Sequence, residues 1–321
     1  MTEWKNGIAK LTVPTPYAVG DVNMYVIKGD RLTLIDAAVK TEEAWAAFKD
    51  QLASLRLRPE DIEQVVLTHH HPDHVGLLDF LPDSVELYGH PFNQRWLYRT
   101  EEFLRQHDAF YEKLWVECGV AAEFFPHLFS MRKTLKYSCT DQQLTGTIIE
   151  GDRPPGMEDW LVIETPGHAQ SHISLFREKD GIMIGGDHIL AHVSPNPLME
   201  PPVPGSTERP KPILQYHRSL KKLFDYPIQF VYTGHGEEVY QLEELIEKRM
   251  MRQHDRAMTV KSWLEKEELT VFEICKRLFP AVYQKEFALT MSETVAQLDY
   301  LSSIGEISSK GNQPFLYSAG R

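Results

Sequence analysis

Cysteine is scarce: the 321 residues hold three, Cys118, Cys139 and Cys275, odd in number and far apart. That excludes a disulfide framework and fits a reducing compartment, so a cytoplasmic location is expected. Long apolar runs are missing too. None approaches the roughly 18 residues that a membrane-crossing helix needs, and the start, Met1-Thr2-Glu3-Trp4-Lys5-Asn6, lacks the apolar stretch of a secretory signal. Cations are in deficit, with 34 Lys and Arg against 46 Asp and Glu, giving a formal charge of −12. Such a surface opposes loose attraction to nucleic acid, whose phosphates are bound through cationic side chains. There is also no convincing serine or cysteine nucleophile motif, so any hydrolytic chemistry must find its nucleophile elsewhere.

What is present in excess is histidine at strand ends. Thr68-His69-His70-His71-Pro72-Asp73-His74-Val75-Gly76 follows the apolar run Ile62 to Leu67, which reads as a buried strand. His69 and His71, two apart in an extended loop, point the same way and can share one metal ion, leaving His70 to face away. Asp73 and His74, past a proline that turns the chain, are better placed for a second ion nearby. Imidazole with carboxylate suits Zn²⁺ and also accepts Fe²⁺ or Mn²⁺. Three further stretches repeat the pattern of apolar strand, Gly or Pro, and ligand: Glu164-Thr165-Pro166-Gly167-His168, Gly185-Gly186-Asp187-His188 and Thr233-Gly234-His235-Gly236.

These four groups, in this order, resemble the metallo-β-lactamase superfamily, most closely its glyoxalase II-like branch, over roughly residues 8–240. The resemblance implies two divalent ions, with His69, His71 and His168 on the first, Asp73, His74 and His235 on the second, and Asp187 bridging them. It implies Asp73 and Asp187 as the catalytic carboxylates. Leu34-Ile35-Asp36-Ala37-Ala38 keeps the Asp of another superfamily motif without the glycine that usually follows it. Asp36 is therefore expected to orient a ligand from behind across an altered turn, and His172 is expected to pack behind the ligands as well. His188 and His192, just past the bridging Asp, are candidate substrate contacts. His90, His107, His127, His217 and His254 stand in no motif.

The pattern along the chain predicts an α+β fold. Strands are expected at 8–13, 22–28, 32–35, 62–67, 85–88, 160–165, 172–177, 182–186 and 229–232, with helices around 44–55, 75–81 and 213–224. Strands followed by covering helices, twice over, imply two sheets face to face with helices outside, the four-layer αββα sandwich of the superfamily. Residues 1–240 form the expected catalytic domain. Within it, residues 91–137 read as a helical insertion carrying 11 of the chain's 34 aromatics, Phe129 among them. It is read either as a lid over the metals or as a helical pair with its own small core. Ser194 to Pro212 holds seven prolines and is read as a semi-rigid loop beside the site.

Residues 241–321 change character and resemble a small winged-helix module. A helix starting at Leu242 leads to Thr270-x-x-Glu273 and Thr290-x-x-Glu293, both read as capping boxes. A terminal hairpin follows, turning at Lys310-Gly311-Asn312. The segment carries 11 Lys and Arg against 12 Asp and Glu, hence 11 − 12 = −1, which fits docking or homodimerisation better than DNA binding. The expected function is metal-dependent hydrolysis of a small or carrier-bound acyl compound, a thioester, lactone or related ester, by a water that two cations deprotonate near neutral pH. The alternative is a nuclease or phosphodiesterase of the same superfamily. No membrane partner is expected, and nucleic acid is disfavoured.

Overall fold

The computed structural model describes residues 2–126, 132–311 and 313–320. His127, Phe129 and Asn312 therefore lie outside the described residues. Alternating and continuous apolar runs build two sheets. The first orders its strands β1 (Ile8–Val13), β2 (Val22–Lys28), β3 (Leu32–Ile35), β4 (Gln64–Val66), β5 (Glu86–Gly89) and β6 (Gly146–Thr147) side by side. The β1–β2–β3 meander is antiparallel, and β3 to β6 run parallel. The second sheet comprises β7 (Trp160–Glu164), β8 (Ile173–Arg177), β9 (Ile182–Gly186) and β10 (Phe230–Thr233), in the order β10-β9-β8-β7. Because β8 is antiparallel to both its neighbours and β10 is parallel to β9, the strands β7, β9 and β10 all point the same way.

Three apolar layers separate four layers of structure. Between the sheets lie Ile8, Tyr25, Ile27, Ile35 and Val66 of the first, packed on Trp160, Val162, Leu175, Ile184 and Tyr232 of the second. Outside the first sheet, Ala44, Phe48 and Leu52 of α1 (Glu42–Ser54) bury one face against Leu11, Met24 and Val65. This spacing of four places the three on a single helical stripe. Thr41 caps the helix, its hydroxyl accepting from Ala44 N–H at 3.1 Å. Outside the second sheet, Tyr216 and Leu220 of α5 (Pro212–Lys222) and Leu242 and Ile246 of α6 (Leu242–Leu264) cover Ile163, Phe176, Met183 and Val231. This is the expected αββα sandwich.

Two expectations need correction. The segment after the first histidine motif forms only one helical turn, α2 (Pro72–Val75), followed by a 3₁₀ stretch to Phe80. Gly76 sits there against the backbone of the loop 38–40, where a Cβ would come within 2.1 Å of Lys40 N. Thr290 caps nothing. It lies inside α8 (Phe287–Ser303), and its hydroxyl donates back to the carbonyls of Glu286 and Phe287 at 3.0 and 3.1 Å. Thr270, by contrast, makes the expected capping box with Glu273 at the head of α7 (Val271–Leu278). After α8 come β11 (Ile307–Lys310) and β12 (Leu316–Ala319), an antiparallel pair, with Leu269 bridging to Tyr317.

The insertion opens with the short helix α3 (Gln94–Leu97) and continues in α4 (Glu101–Glu117). Its described residues do not pack a core of their own. Tyr111, Leu114, Trp115, Cys118, Val120 and Phe124 share one core with Leu264, Ile274, Phe287, Val295 and Leu301 of the C-terminal segment, and Met199 and Ile213 join them. The reason is stoichiometric: α4 has a single apolar stripe, and the nearest uncovered apolar surface belongs to the C-terminal helices. No helix among the described residues is long and apolar enough to cross a membrane.

Candidate metal centre

Each of the four motifs leaves the C-terminal end of a strand, and Asp73 and His74 of the first stand on the short helix α2 that follows. His69 and His71 follow β4, His168 follows β7, Asp187 follows β9 and His235 follows β10. The two sheets are laced together at this edge. The buried side chain of Asn23 on β2 donates to the carbonyls of Thr233 and Gly236, both at 3.0 Å, and Tyr25 Oη donates to Thr233 O at 2.6 Å. The turn that carries His235 is thereby held by the opposite sheet.

The donors converge as two groups. His69, His71 and His168 each offer a ligand atom within 4.8 Å of the others, and so do Asp73, His74 and His235. His168 Nε2 lies 2.9 Å from His71 Nδ1, so both nitrogens aim at one spot. Asp187 stands between the groups: Oδ2 is 3.5 Å from both His168 Nε2 and His235 Nε2, and Oδ1 is 3.4 Å from His74 Nε2. Asp73 Oδ2 lies 3.4 Å from His235 Nε2. All are buried except His71, which is partly exposed.

The rear nitrogen of each of four rings is already committed, which settles the tautomer. His168 Nδ1–H donates to Asn196 O at 2.9 Å and His235 Nδ1–H to Asp21 O at 2.8 Å; a carbonyl can only accept. His74 Nδ1–H donates to Asp36 Oδ2 at 2.8 Å. His69 Nδ1 is 3.0 Å from Thr68 Oγ1, whose own proton goes to Asp36 Oδ2 at 2.7 Å. Nε2 is thereby the nitrogen that presents its lone pair when each ring is neutral, as a ligand ring must be. His69 Nε2, His74 Nε2, His235 Nε2 and Asp187 Oδ1 are buried with no hydrogen-bond partner among the described residues. Buried polar atoms are seldom left unpaired, and orphaned lone pairs converging from two sides fit divalent cations.

The electrostatics agree. Burial, reinforced by neighbouring imidazoles, holds His69 and His71 well below the ordinary histidine range, so they stay neutral. Burial would lower His74 and His235 as well, but Asp187 reverses it. Asp36 helps to raise His74 well above that range, and Asp73 helps to push His235 up to about 10. Asp187 is held well below the carboxylate range, since His235 and His74 outweigh its burial. Cations bound here take the place of those protons.

Asp36 orients two elements at once, Oδ1 accepting from Thr68 N–H at 2.7 Å while Oδ2 serves Thr68 Oγ1 and His74. The altered turn after it is made with positive φ at Asp36 (61°) and Ala38 (38°), the first tolerable because a short polar side chain can enter the left-handed region. His172 packs behind the ligands: Nδ1 pairs with Thr165 Oγ1 at 2.8 Å, and Nε2 accepts from Asp187 N–H at 3.2 Å. His70 turns away, bonded to Ser171 Oγ at 2.8 Å and stacked on Trp96 with 4.4 Å between ring centres.

The two candidate substrate contacts separate. His188 has no exposed surface and sits edge-on to Tyr216, so it does not face an incoming substrate. The turn that sends Asp187 towards the metal position sends the next side chain inward. His192 is largely exposed, 3.5 Å from Glu237. Elsewhere, His217 and His254 serve Gln253 and Tyr300 as ordinary hydrogen-bond partners.

Several residues at the site escape a reading of motifs. Tyr17, on the β1–β2 loop, has a buried hydroxyl without a partner, held above the usual phenol range by burial and by Asp73. Glu200 is buried 3.8 Å from His70 and 3.7 Å from Arg95, and its burial pushes the carboxyl up to about 7. Asp21 and Asn196 act through backbone carbonyls, which leave no trace in side-chain patterns.

Gly234 gives a sharp test of this geometry. A Cβ there would lie 2.0 Å from Asp187 Oδ1 and 3.1 Å from His74 Cε1. Gly234→Ala deletes no ligand, yet it must push the shared carboxylate aside. We expect metal content and activity to fall at least tenfold while far-ultraviolet circular dichroism stays native, as measured on purified protein after metal loading.

The chain's relatives agree with this architecture. The model of the metallo-beta-lactamase superfamily matches residues 17–235. The probable metallo-hydrolase YqjP of Bacillus subtilis is 45% identical over 316 residues, covering 98% of each chain. Among solved structures, the metallo-beta-lactamase family protein TTHA1429 of Thermus thermophilus superposes with a TM-score of 0.82 at 28% identity, covering 98% of this chain and 99% of that one. A beta-lactamase domain protein of Burkholderia ambifaria, 20% identical, shares the fold with a TM-score of 0.81, covering 99% of this chain and 94% of that one. With its strand-end donors, its sandwich and these relatives together, the chain belongs to the metallo-β-lactamase superfamily and is a metallo-hydrolase.

Proposed function

We propose that the protein is a binuclear hydrolase of acyl esters, with a thioester, a lactone or a related ester as substrate and zinc as the ion, iron or manganese being the other candidates. Bound at the two donor groups, divalent cations supply a water whose proton is lost near neutral pH and positive charge for an oxyanion. The chain's own part is positional. Asp36, Asp21 and Asn196 fix the rings of His74, His235 and His168, Asp187 joins the two donor groups, and Asp73 is placed to orient a water and accept its proton. The partly exposed His71 marks the side from which substrate arrives.

The observation that carries the choice of substrate is the fate of the nearby cations. A phosphodiester chain needs a free basic track. Arg95 instead donates to the carbonyls of Pro202 and Pro201, and Arg99 to those of Trp96 and Cys139. Arg132 lies 3.1 Å from Asp108, Arg105 lies 3.8 Å from Glu101, and Lys136 sits over the ring of Tyr137. Arg95 and Arg99 are thus engaged inside the protein. Among the described residues, Arg105 and Lys136 make only single pairings at the surface, a scatter unlike a continuous basic track. The partly buried Tyr17, beside Asp73, is the aromatic group proposed to meet an acyl chain or ring. All three cysteines are free and buried, in keeping with a reducing compartment. For residues 241–321, with three helices and a hairpin, we propose a winged-helix-like module that supports assembly, a homodimer being the simplest case.

The test is a side-by-side assay of short-chain thioesters, lactones and single-stranded RNA with zinc-, manganese- and iron-loaded enzyme. Hydrolysis of a thioester or lactone, abolished by chelation and reduced at least a hundredfold in His71→Ala, is expected. RNA cleavage that outruns every ester and vanishes in the same variant would replace this reading with that of a nuclease.

A further inference from the structure

We infer that the C-terminal helix α8 positions the first-site ligand His168, acting through Asn196 of the proline-rich loop. The inference rests on the metal reading above. Asn196 makes two bonds in opposite directions. Its carbonyl accepts from His168 Nδ1–H at 2.9 Å, and its side-chain Nδ2 donates to Leu289 O in the first turn of α8 at 3.0 Å. Prolines on both sides, Pro195 and Pro197, stiffen this short link. A shift of α8 is therefore passed on to the carbonyl that sets the ring plane of His168.

The loop is tied to the same helix at two more points. Met199 N–H donates to Ser292 Oγ at 3.2 Å, and Arg209 holds Asp299 through two bonds of 2.8 and 2.6 Å. Leu289, Ser292 and Asp299 are three and seven residues apart, on one face of α8. The loop thus lies along the helix as a strap, with its leading end at a metal ligand. Among the described residues, no hydrogen bond ties α8 to the second donor group. His74 and His235 are oriented by Asp36 and by the carbonyl of Asp21, both on the first sheet's loops. Helix α8 is accordingly coupled to the first metal position, whereas α6 reaches the loop just past the shared Asp187 through Arg249, which donates to Leu190 O and Val193 O.

The test uses the full chain. Metal-free wild type, Asn196→Ala, Ser292→Ala and Ser292→Thr are titrated with zinc against a chromophoric chelator, and the histidine ring nitrogens are followed by NMR after selective ¹⁵N labelling. Asn196→Ala should weaken one zinc position about tenfold, the lower end of the range for losing a partner behind a ligand, and leave the other unchanged. It should also remove the Nδ1–H signature of His168 in the metal-free protein. Ser292→Ala should weaken the same position less, and Ser292→Thr should restore it, which keeps the inference testable if Asn196→Ala fails to fold. Equal weakening of both positions, or unchanged affinities with an unchanged His168 signature, would overturn it. Wild type that takes up no ion would count against the metal reading, whereas the ring-nitrogen shifts still report the strap.

Discussion

Asp187→Ala is expected to leave the protein without tightly held metal at either position and to reduce hydrolysis by well over a hundredfold. Losing a partner behind a ligand typically costs 10–100-fold in affinity, and Asp187 is in the first rank for both groups at once, within 3.5 Å of His74, His168 and His235. It is also the main counter-charge that raises His74 and His235. His235→Ala should differ in kind. It removes a donor from one group only, so the first position should keep its ion. Elemental analysis of metal-loaded wild type and both variants checks the pair: about two ions per wild-type chain, one in His235→Ala and none in Asp187→Ala. Wild type with a single ion would overturn the binuclear assignment.

Removing residues 241–321 is expected to yield aggregated protein. The cut strips the partners from Tyr111, Leu114, Trp115, Phe124, Met199 and Ile213, six buried residues whose core the C-terminal helices complete. At about 1.5–3 kcal/mol for each large apolar side chain returned to water, the loss is on the order of 10 kcal/mol, as large as the whole stability of a typical domain. It also frees the loop 194–212 from its anchors at Leu289, Ser292 and Asp299. Size-exclusion chromatography of the truncated chain is the measurement. A monodisperse, cooperatively melting fragment would show that the sandwich stands without this segment.

Much of the frame was legible from local pattern. Alternation and β-branched runs marked β1, β2 and β3 at their observed bounds, and a ligand beside a turn residue marked each strand end of the site. These signals work because a strand buried on a face must repeat with period two, and because a side chain leaving a strand end is aimed by only a few backbone angles. Thr290-x-x-Glu293 shows the limit. The same four letters cap a helix or sit inside one, and what decides is whether the residues before them are helical, here Phe287 onward.

The chain's local order thus specified the two sheets, the covering helices and the candidate donors. Their assembly into one site depended on long-range contacts that leave no mark on the residues making them. Asp21 and Asn196 orient His235 and His168 with backbone carbonyls, which every residue possesses. His188, two residues past a glycine where His168, Asp187 and His235 are one past, is buried because the turn that aims Asp187 at the metal position sends its neighbour inward. The apolar stripe on α4 announced that the insertion would be buried, and its partner, the C-terminal core, became visible only in three dimensions. An amphipathic helix records how much surface must be covered, and the covering surface is chosen by whatever else the fold leaves bare.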